Sequence, residues 1–261
     1  MLTESEPWRP PKQHLDLLER LAQQISPDDP SLDKWFHNYC AQHRSRLAAD
    51  LHILDANLPA PVKLLEYGAA PMLMTAALAE KGYQLAALDL APERFSKSIE
   101  TLKLDVRRCD VEAEPVPFAD ASFDAILFNE LFEHLRINPI QTLREVHRVL
   151  KPGGVLFLST PNLRSARGIR NFLLRNQGHS ASGDPYAQYR KLEELGHMGH
   201  VREYTTREVA EFLGHIGFRV ELLIFRGGDG RGLSGAVQRL IPSLRPFFTI
   251  VASRPVSEDT A

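Results

Sequence analysis

The 261-residue sequence contains little of what secreted, membrane-spanning or nucleic-acid-binding chains usually carry. Two cysteines, Cys40 and Cys109, are too few for a disulfide framework and are typical of a reducing compartment. No apolar run approaches the roughly 20 residues that cross a bilayer, and the acidic residues Glu4 and Glu6 do not fit a secretory signal. A formal net charge of −2 provides no global field for nucleic acid. We therefore expect a cytoplasmic protein with no transmembrane segment and no nucleic-acid partner.

The chain instead shows short apolar runs that are separated by helical patterns, with 43% hydrophobic residues overall. That amount suffices for one sizeable core, and the alternation predicts an α/β fold with a doubly wound, mostly parallel sheet. The runs interpreted as strands are residues 62–67, a run ending at Asp89, and residues 104–109, 123–128, 155–159, 218–225 and 247–253.

Two stretches depart from this alternation and suggest how the chain is organised. Before the first strand, helical patterns at residues 12–25 and 31–56 follow a Pro-rich, polar start that we expect to be loosely packed. Residues 1–57 are therefore predicted to form an N-terminal tail and helical cap, and residues 58–261 the main domain. Within that domain, residues 162–204 are an insertion too long for a plain connection, and we predict that it forms a lid.

The turn after the first strand lacks most of the glycines that a dinucleotide-binding fingerprint requires. Gly68 is followed by Ala69, Ala70 and Pro71, so this turn serves a bulky pyrophosphate poorly. Asp89, about 20 residues further on, ends the next strand, where such folds hold a ribose hydroxyl. A nucleoside without phosphates suits this arrangement better than a nicotinamide dinucleotide does, and S-adenosylmethionine is the commonest such cofactor.

Five segments occur in an order and at separations that resemble the motifs of class I S-adenosylmethionine-dependent methyltransferases. They are LLEYGAAP, AALDL, RRCDVEAEPVPFADASFDAILFNELFEHL, REVHRVLKPGGVLFLSTPN and GHVREYTTREVAEFLGHIGF, within residues 62–218. The resemblance implies a Rossmann-like, mostly parallel seven-stranded sheet and S-adenosylmethionine as the cofactor. The first motif departs from the G-x-G-x-G that the family usually shows, because this chain keeps only Gly68.

The resemblance also implies which residues hold the cofactor. Asp89 would accept the ribose hydroxyls, Asp110 would lie beside the adenine amino group, and Glu66 would act near the methionine moiety. Each has a structural alternative: Asp89 as an exposed strand-end acid, Asp110 as a loop cap, and Glu66 as an acid that only orients the glycine turn. The full expected set is Glu66, Gly68, Ala70, Asp89, Leu90, Asp110, Val111 and Asn129.

Two histidines are candidates for the base that removes a proton from an oxygen acceptor. Histidine suits this role because its pKa lies near neutrality. His134 follows Glu133 shortly after the strand at residues 123–128, and its alternative is a purely structural role. His200 lies near the end of the insertion and is the preferred candidate. We expect the two histidines to approach the pocket from opposite sides.

The insertion also supplies the candidates for contacts with the acceptor. His197 and Tyr204 lie in its last segment, and Arg164 begins a series of arginines at every third residue that suits an anionic handle. The alternatives are a buried structural histidine and an amphipathic lid helix with a solvated basic side. A metal site on the two histidines of this segment, completed by Glu130 or Glu133, is not expected, because no cysteine cluster or H-E-x-x-H motif accompanies them.

The sequence thus predicts an S-adenosylmethionine-dependent methyltransferase that O-methylates a small molecule or an intermediate of a glycan or lipid pathway. The acceptor could be anionic or lipid-linked, and residues 236–245, apolar with basic residues, could rest on a membrane surface. Two alternatives stay open: a catalytically inactive methyltransferase-like protein that scaffolds partners, and a nicotinamide-dependent oxidoreductase, which the single glycine disfavours. The oligomeric state stays open as well.

Overall fold

A computed structural model describes residues 2–5, 10–58, 60–195, 199–228 and 232–256. The strands are β1 (Leu2–Ser5), β2 (Lys63–Tyr67), β3 (Gln84–Asp89), β4 (Val106–Arg108), β5 (Phe123–Asn129), β6 (Leu150–Pro161), β7 (Arg219–Arg226) and β8 (Phe247–Ser253). They form one eight-stranded sheet in the order β1-β7-β8-β6-β5-β2-β3-β4. The strand β8 runs antiparallel to β6 and β7, and the other neighbouring pairs are parallel.

The predicted seven-stranded, mostly parallel sheet is confirmed by β2 to β8, and β1 adds an eighth strand at the edge. The expectation of a loosely packed start is wrong for residues 2–5, which pair in parallel with β7 from Leu2 against Leu222 to Ser5 against Phe225. Without β1, the backbone of β7 would expose a row of unpaired hydrogen-bonding groups. A short polar segment such as this one has no apolar pattern that would identify it as a strand.

The helices are α1 (Lys12–Ala22), α2 (Asp33–Asn57), α3 (Leu73–Glu80), α4 (Ser96–Thr101), α5 (Pro139–Val149), α6 (Ala166–Arg175), α7 (Pro185–Leu195), α8 (Thr206–Ile216) and α9 (Gly232–Leu240). Alternate residues of the central strands point to opposite faces of the sheet. Leu64 and Leu127 belong to the core shared with α1, α2 and α3. Leu65 and Phe128 belong to the core shared with α5 and α8. Burial on both faces explains why these strands are almost continuously apolar.

The chain reverses its direction of sheet growth beside β2. The next strands, β3 and β4, extend the sheet on one side of β2, whereas β5 and β6 extend it on the other. Ligands of open α/β sheets bind outside the carboxyl ends of the strands at such a switch point. Gly68, Asp89 and Asn129 stand at the carboxyl ends of β2, β3 and β5. The fold therefore gathers them at one edge.

The insertion begins directly after β6, and its two ends are bonded to each other. Asn162 and Tyr204 form a β-bridge, and the Leu163 N–H donates to the Tyr204 carbonyl at 3.0 Å. The α8 helix then starts at a capping box in which Thr205 and Glu208 each accept the other's backbone N–H. Among the described helices, none combines the length and the apolar character that crossing a bilayer requires.

Candidate active site

A cavity of about 540 Å³ opens at the switch point of the sheet. All eight residues that the sequence assigns to the cofactor line it, and so do both candidate bases, His134 and His200. The cofactor set is Glu66, Gly68, Ala70, Asp89, Leu90, Asp110, Val111 and Asn129. These residues come from the carboxyl ends of three parallel strands and from the loop after β4.

The glycine-poor turn keeps the geometry of a tight strand-to-helix connection. Gly68 has φ +79°, and the N–H groups of Gly68 and Ala69 donate to the Leu88 carbonyl at 2.9 and 3.0 Å. A second left-handed residue is Met72, at φ +68°. Counted from Gly68, Met72 occupies the last glycine position of a G-x-G-x-G motif. Its apolar side chain is fully buried, although its backbone adopts a conformation that usually favours glycine.

Asp89 connects this turn to the end of β3. Its Oδ2 accepts the Ala70 N–H at 2.8 Å, and its Oδ1 accepts the Ala91 N–H at 2.9 Å. The carboxylate is buried, which corrects the alternative of an exposed strand-end acid. Each carboxylate oxygen keeps a further lone pair. Asp89 can therefore accept additional hydrogen bonds from a ligand in the cavity.

Glu66 and Asn129 present buried polar atoms without partners among the described residues. Glu66 Oε2 is buried and unpaired, and burial raises the pKa of this carboxyl group to about 8, with Asp89 adding to the rise and Thr75 opposing it. Asn129 Nδ2 is likewise unpaired, although its Oδ1 accepts the Ser159 hydroxyl at 2.9 Å. Orphaned buried groups call for a partner. The acid and the amide fit the ammonium and the carboxylate of a methionine moiety.

Asp110 combines the two roles that the sequence left open for it. Its Oδ1 accepts the Glu112 N–H at 3.1 Å, which caps the loop after β4. The same residue and Val111 line the cavity. The backbone of Val111 is fixed by Thr142, because the Thr142 hydroxyl donates to the Val111 carbonyl at 3.1 Å. A loop fixed in this way can present backbone and carboxylate groups to an adenine.

The two histidines lie side by side, so the expectation that they approach from opposite sides is wrong. Their ring centroids are 4.8 Å apart at an interplanar angle of 84°. The loop that carries His200 lies against the residues that follow β5. There the Val201 N–H donates to the Glu133 carbonyl at 2.8 Å. His134 Nδ1 lies 3.0 Å from the Gly199 carbonyl oxygen. Backbone pairing therefore brings the insertion to the strand edge.

Glu133 completes a compact group with these histidines. One potential ligand atom from each of Glu133, His134 and His200 lies within 4.8 Å of the others, so the group could hold a metal ion. Burial and the nearby Glu130 raise the pKa of Glu133 to about 8, although Thr160 donates to its Oε2 at 2.8 Å. Burial disfavours charge on His200, but its acidic neighbours, first Glu203, raise its pKa above the ordinary value.

Glu203 is a site residue that the sequence reasoning missed. Its carboxylate accepts the N–H groups of Ser180 and Ser182, each at 2.6 Å, and the Ser180 hydroxyl. Its Oε1 lies 3.7 Å from His200 Nδ1. Burial opposes its ionisation, yet these partners hold the pKa of Glu203 well below its usual range. One acid thus joins the middle of the insertion to the candidate base, and its position three residues after His200 was the available signal.

The α2 helix supplies a cavity wall that the sequence assigned only to the cap. Trp35, Tyr39 and His43 line the cavity at intervals of four residues. Their ring centroids are 5.6 Å apart from Trp35 to Tyr39 and 4.4 Å apart from Tyr39 to His43. Burial, together with Arg46, lowers the pKa of His43 to about 4. These three rings, the aromatic ladder of α2, therefore form an uncharged surface at neutral pH.

A buried network of ion pairs lies next to the cavity. Arg226 Nη1 lies 2.7 Å from Asp50, and its Nη2 donates to Glu130 Oε1 at 2.8 Å. Arg46 donates to the other Glu130 oxygen at 2.9 Å and to the Tyr39 hydroxyl at 3.1 Å. These two arginines hold the pKa of Glu130 below its ordinary value against the effect of burial. The network ties α2 to the ends of β5 and β7.

Two of the three predicted acceptor contacts, Tyr204 and Arg164, do not line this cavity. Tyr204 is buried against the Phe132 ring at 4.5 Å and lies under the Arg202 guanidinium at 4.9 Å. Arg164 is exposed at the start of the insertion, and neither residue lines the cavity. His197 lies outside the described residues. Lys191 of α7 lines the cavity instead, one face of the insertion being turned inward.

Comparison with known proteins identifies the family to which the chain belongs. Residues 33–223 match the model of a family described as a methyltransferase domain. A ubiquinone biosynthesis O-methyltransferase from Xanthomonas campestris is 36% identical over 105 residues, which are 38% of this chain and 43% of that relative. The match thus spans less than half of the relative's length.

Solved structures share the fold at low sequence identity. An S-adenosylmethionine-dependent methyltransferase from Thermotoga maritima has a TM-score of 0.58 at 17% identity, covering 86% of this chain and 97% of its own. A [4+2]-cyclase has a TM-score of 0.55 at 17% identity, covering 82% and 84%. The chain belongs to the class I S-adenosylmethionine-dependent methyltransferase family, since the family model covers most of its length.

Proposed function

We propose that this protein transfers a methyl group from S-adenosylmethionine to an oxygen atom of a small-molecule acceptor. The observation that carries the proposal is the convergence of the eight expected cofactor residues on one cavity. Two buried atoms that have no partner among the residues the structure describes, Glu66 Oε2 and Asn129 Nδ2, suit the charged ends of the methionine moiety. Asp89 would accept the ribose hydroxyls, and the Asp110–Val111 loop would flank the adenine.

The acceptor would lie between α2 and the insertion. The Trp35 and Tyr39 rings offer an apolar surface on one side, and Lys191 and His200 stand among the other lining residues. Such a compartment suits an acceptor with an apolar, ring-bearing body and an anionic or hydroxyl-bearing end. The name of the Xanthomonas relative supports oxygen as the acceptor atom. An intermediate of a lipid pathway fits this compartment better than a fully polar glycan does.

Bound S-adenosylmethionine would supply an electrophilic methyl group on a sulfonium. The chain's own residues position the acceptor and take its proton. We propose that His200 is the base, because it lines the cavity and Glu203 lies 3.7 Å from its Nδ1. His134, edge-on to His200, is the second candidate. Since a neighbouring acid raises the pKa of His200, the reaction rate should rise with pH as this histidine loses its proton.

We also propose the cytoplasm as the compartment of this reaction. Cys40 and Cys109 are free and buried, as is usual where thiols stay reduced. Burial raises the pKa of both thiols to about 11. Neither cysteine is therefore suited to act as a nucleophile at neutral pH.

The fold alone does not fix the activity, because a [4+2]-cyclase shares it. The test is incubation of the protein with methyl-labelled S-adenosylmethionine and lipid extract or simple catechols, followed by mass spectrometry. We expect labelled O-methyl product and S-adenosylhomocysteine in equal amounts. Binding of the cofactor without release of S-adenosylhomocysteine from any extract would favour the scaffold alternative.

A further inference from the structure

The insertion carries a concentration of exposed, large apolar side chains. In α6, the exposed fractions of Phe172, Leu173 and Leu174 are 66%, 71% and 78%. In α7, those of Tyr186 and Tyr189 are 74% and 59%. Single exposed apolar residues are ordinary on protein surfaces, whereas a cluster of large ones in one segment marks a contact surface.

The end of α9 carries exposed apolar side chains as well. Leu240 and Ile241 are exposed over 83% and 48% of their surface. The turn that follows them is tied to the start of the insertion, because Asn162 Nδ2 donates to the carbonyls of Ser243 at 3.0 Å and Arg245 at 2.8 Å. The segment that leads into α6 is therefore joined to the turn that follows α9.

Both segments are basic and free of acidic residues. Residues 161–183 contain no Asp or Glu, and neither do residues 232–256. The whole chain nevertheless carries a net charge of −2, so these two segments are positive within a slightly negative chain. The exposed arginines of residues 161–183 are Arg164, Arg167, Arg170 and Arg175.

We propose that α6 and the end of α9 dock on the surface of an anionic lipid bilayer. In α6 the buried residues are Gly168 and Asn171, which leaves Arg170 and Leu173, three residues apart, together on the outer side. An interfacial helix uses this combination, with apolar side chains in the acyl boundary and arginines on lipid phosphates. The arginines also favour an anionic bilayer over a neutral apolar partner, because docking would place them beside lipid phosphates.

The proposal also implies how the insertion is oriented between the bilayer and the cavity. The α7 helix bears exposed Tyr186 and Tyr189, while its Lys191 lines the cavity. A docked insertion would thus stand between a bilayer and the cavity, which suits an acceptor that is itself held in lipid. Docking is independent of the proposed methyl transfer, because it is measured as vesicle binding without turnover.

The test is flotation of the full chain with vesicles of phosphatidylglycerol and phosphatidylcholine, compared with phosphatidylcholine alone. The double variant Leu173→Ser, Arg170→Glu is matched by Ile140→Ser, Arg144→Glu on α5, where Ile140 is also exposed, at 45%. We expect the native chain and the α5 variant to partition equally onto anionic vesicles. The α6 variant should partition about tenfold or more weakly, from the loss of one apolar anchor and the reversal of one charge.

Circular dichroism and S-adenosylhomocysteine binding check that both variants keep their fold. Partition of the native chain should also fall as salt is added, because screening weakens surface electrostatics. The proposal is overturned if the native chain does not float with anionic vesicles, if it floats equally with neutral ones, or if the α6 and α5 variants bind alike.

Discussion

Glu66 and Asp89 are buried carboxyl groups of one cavity, yet their surroundings prepare them for different partners. Asp89 accepts two backbone N–H groups, at 2.8 and 2.9 Å. Glu66 Oε2 has no hydrogen-bond partner within the described part of the chain, and burial raises the pKa of Glu66 to about 8. An already stabilised carboxylate suits hydroxyl donors, whereas an unpaired acid gains most from a cation. This difference leads to two separate predictions.

Replacement of Asp89 by alanine should weaken binding of S-adenosylhomocysteine by about 1.5–3 kcal/mol, the range for hydrogen bonds to charged groups. The loss includes the release of the Ala70 and Ala91 N–H groups that Asp89 holds. Calorimetric titration measures the effect. Asp105→Ala, at an exposed acid before β4, is the matched control and should leave the affinity unchanged. Unchanged affinity in the Asp89 variant would remove this residue from the cofactor site.

The Glu66 acid should make the ligand-free protein less stable as pH rises. Its pKa is about 8 in the folded state and about 4.5 by the ordinary value, so the folded chain retains a proton that the unfolded chain loses. Stability from this group is full below pH 4.5 and is lost as pH approaches 8. The free energy of unfolding should therefore fall less between pH 5 and pH 8 in the Glu66→Gln variant than in the native chain, by about 1–3 kcal/mol.

Denaturant titrations at both pH values measure this change. Glu211→Gln on α8 serves as the control, because Glu211 is exposed and forms a surface ion pair with Arg207. A Glu66 variant whose pH dependence equals that of the native chain would mean that Glu66 is ionised before the cofactor binds.

At the scale of elements, Glu203 connects two parts of the insertion to each other. It receives donors from residues 180–182 and faces His200. Glu203→Gln keeps the size of the side chain but removes the charge. We expect a lower kcat, a pH–rate profile displaced toward lower pH as the pKa of His200 falls, and an almost unchanged affinity for S-adenosylhomocysteine.

The pH–rate profile separates positioning of His200 from a purely structural role. Glu208→Gln in the α8 capping box provides a comparison, since it disturbs the same stretch of chain without facing His200. A Glu203 variant with reduced kcat but an unshifted pH profile would leave Glu203 as a support of the loop alone.

At the scale of the whole molecule, Arg226 joins the N-terminal helices to the sheet. It is 1% exposed and pairs with Asp50 of α2 and Glu130 at the end of β5. Arg226→Met should lower the free energy of unfolding by about 3–5 kcal/mol, because it leaves two buried acids with one arginine fewer. Arg219→Met, at an exposed pair with Glu221, should cost less than about 1 kcal/mol. Equal losses in urea unfolding would contradict a structural role for the network.

Much of the fold could be predicted from the sequence because periodicity reports burial. The apolar runs ending at Tyr67, Asp89 and Phe128 predict parallel strands, and the carboxyl ends of parallel strands meet at one edge of a sheet. The aromatic ladder on α2 could not be predicted, because helical spacing shows that Trp35 and Tyr39 share a face but not what that face covers. The contact between His134 and His200 depends on how a long insertion folds back, which local patterns do not encode.

The central claim is that the cavity at the switch point binds S-adenosylmethionine through the residues at the strand ends. Calorimetric titration of the native chain with S-adenosylhomocysteine, in parallel with NAD, tests it most directly. We predict one S-adenosylhomocysteine site per chain and no measurable NAD binding, because the turn at Gly68 lacks the glycines that a pyrophosphate needs. A folded chain that binds NAD, or that binds neither compound, would contradict the account.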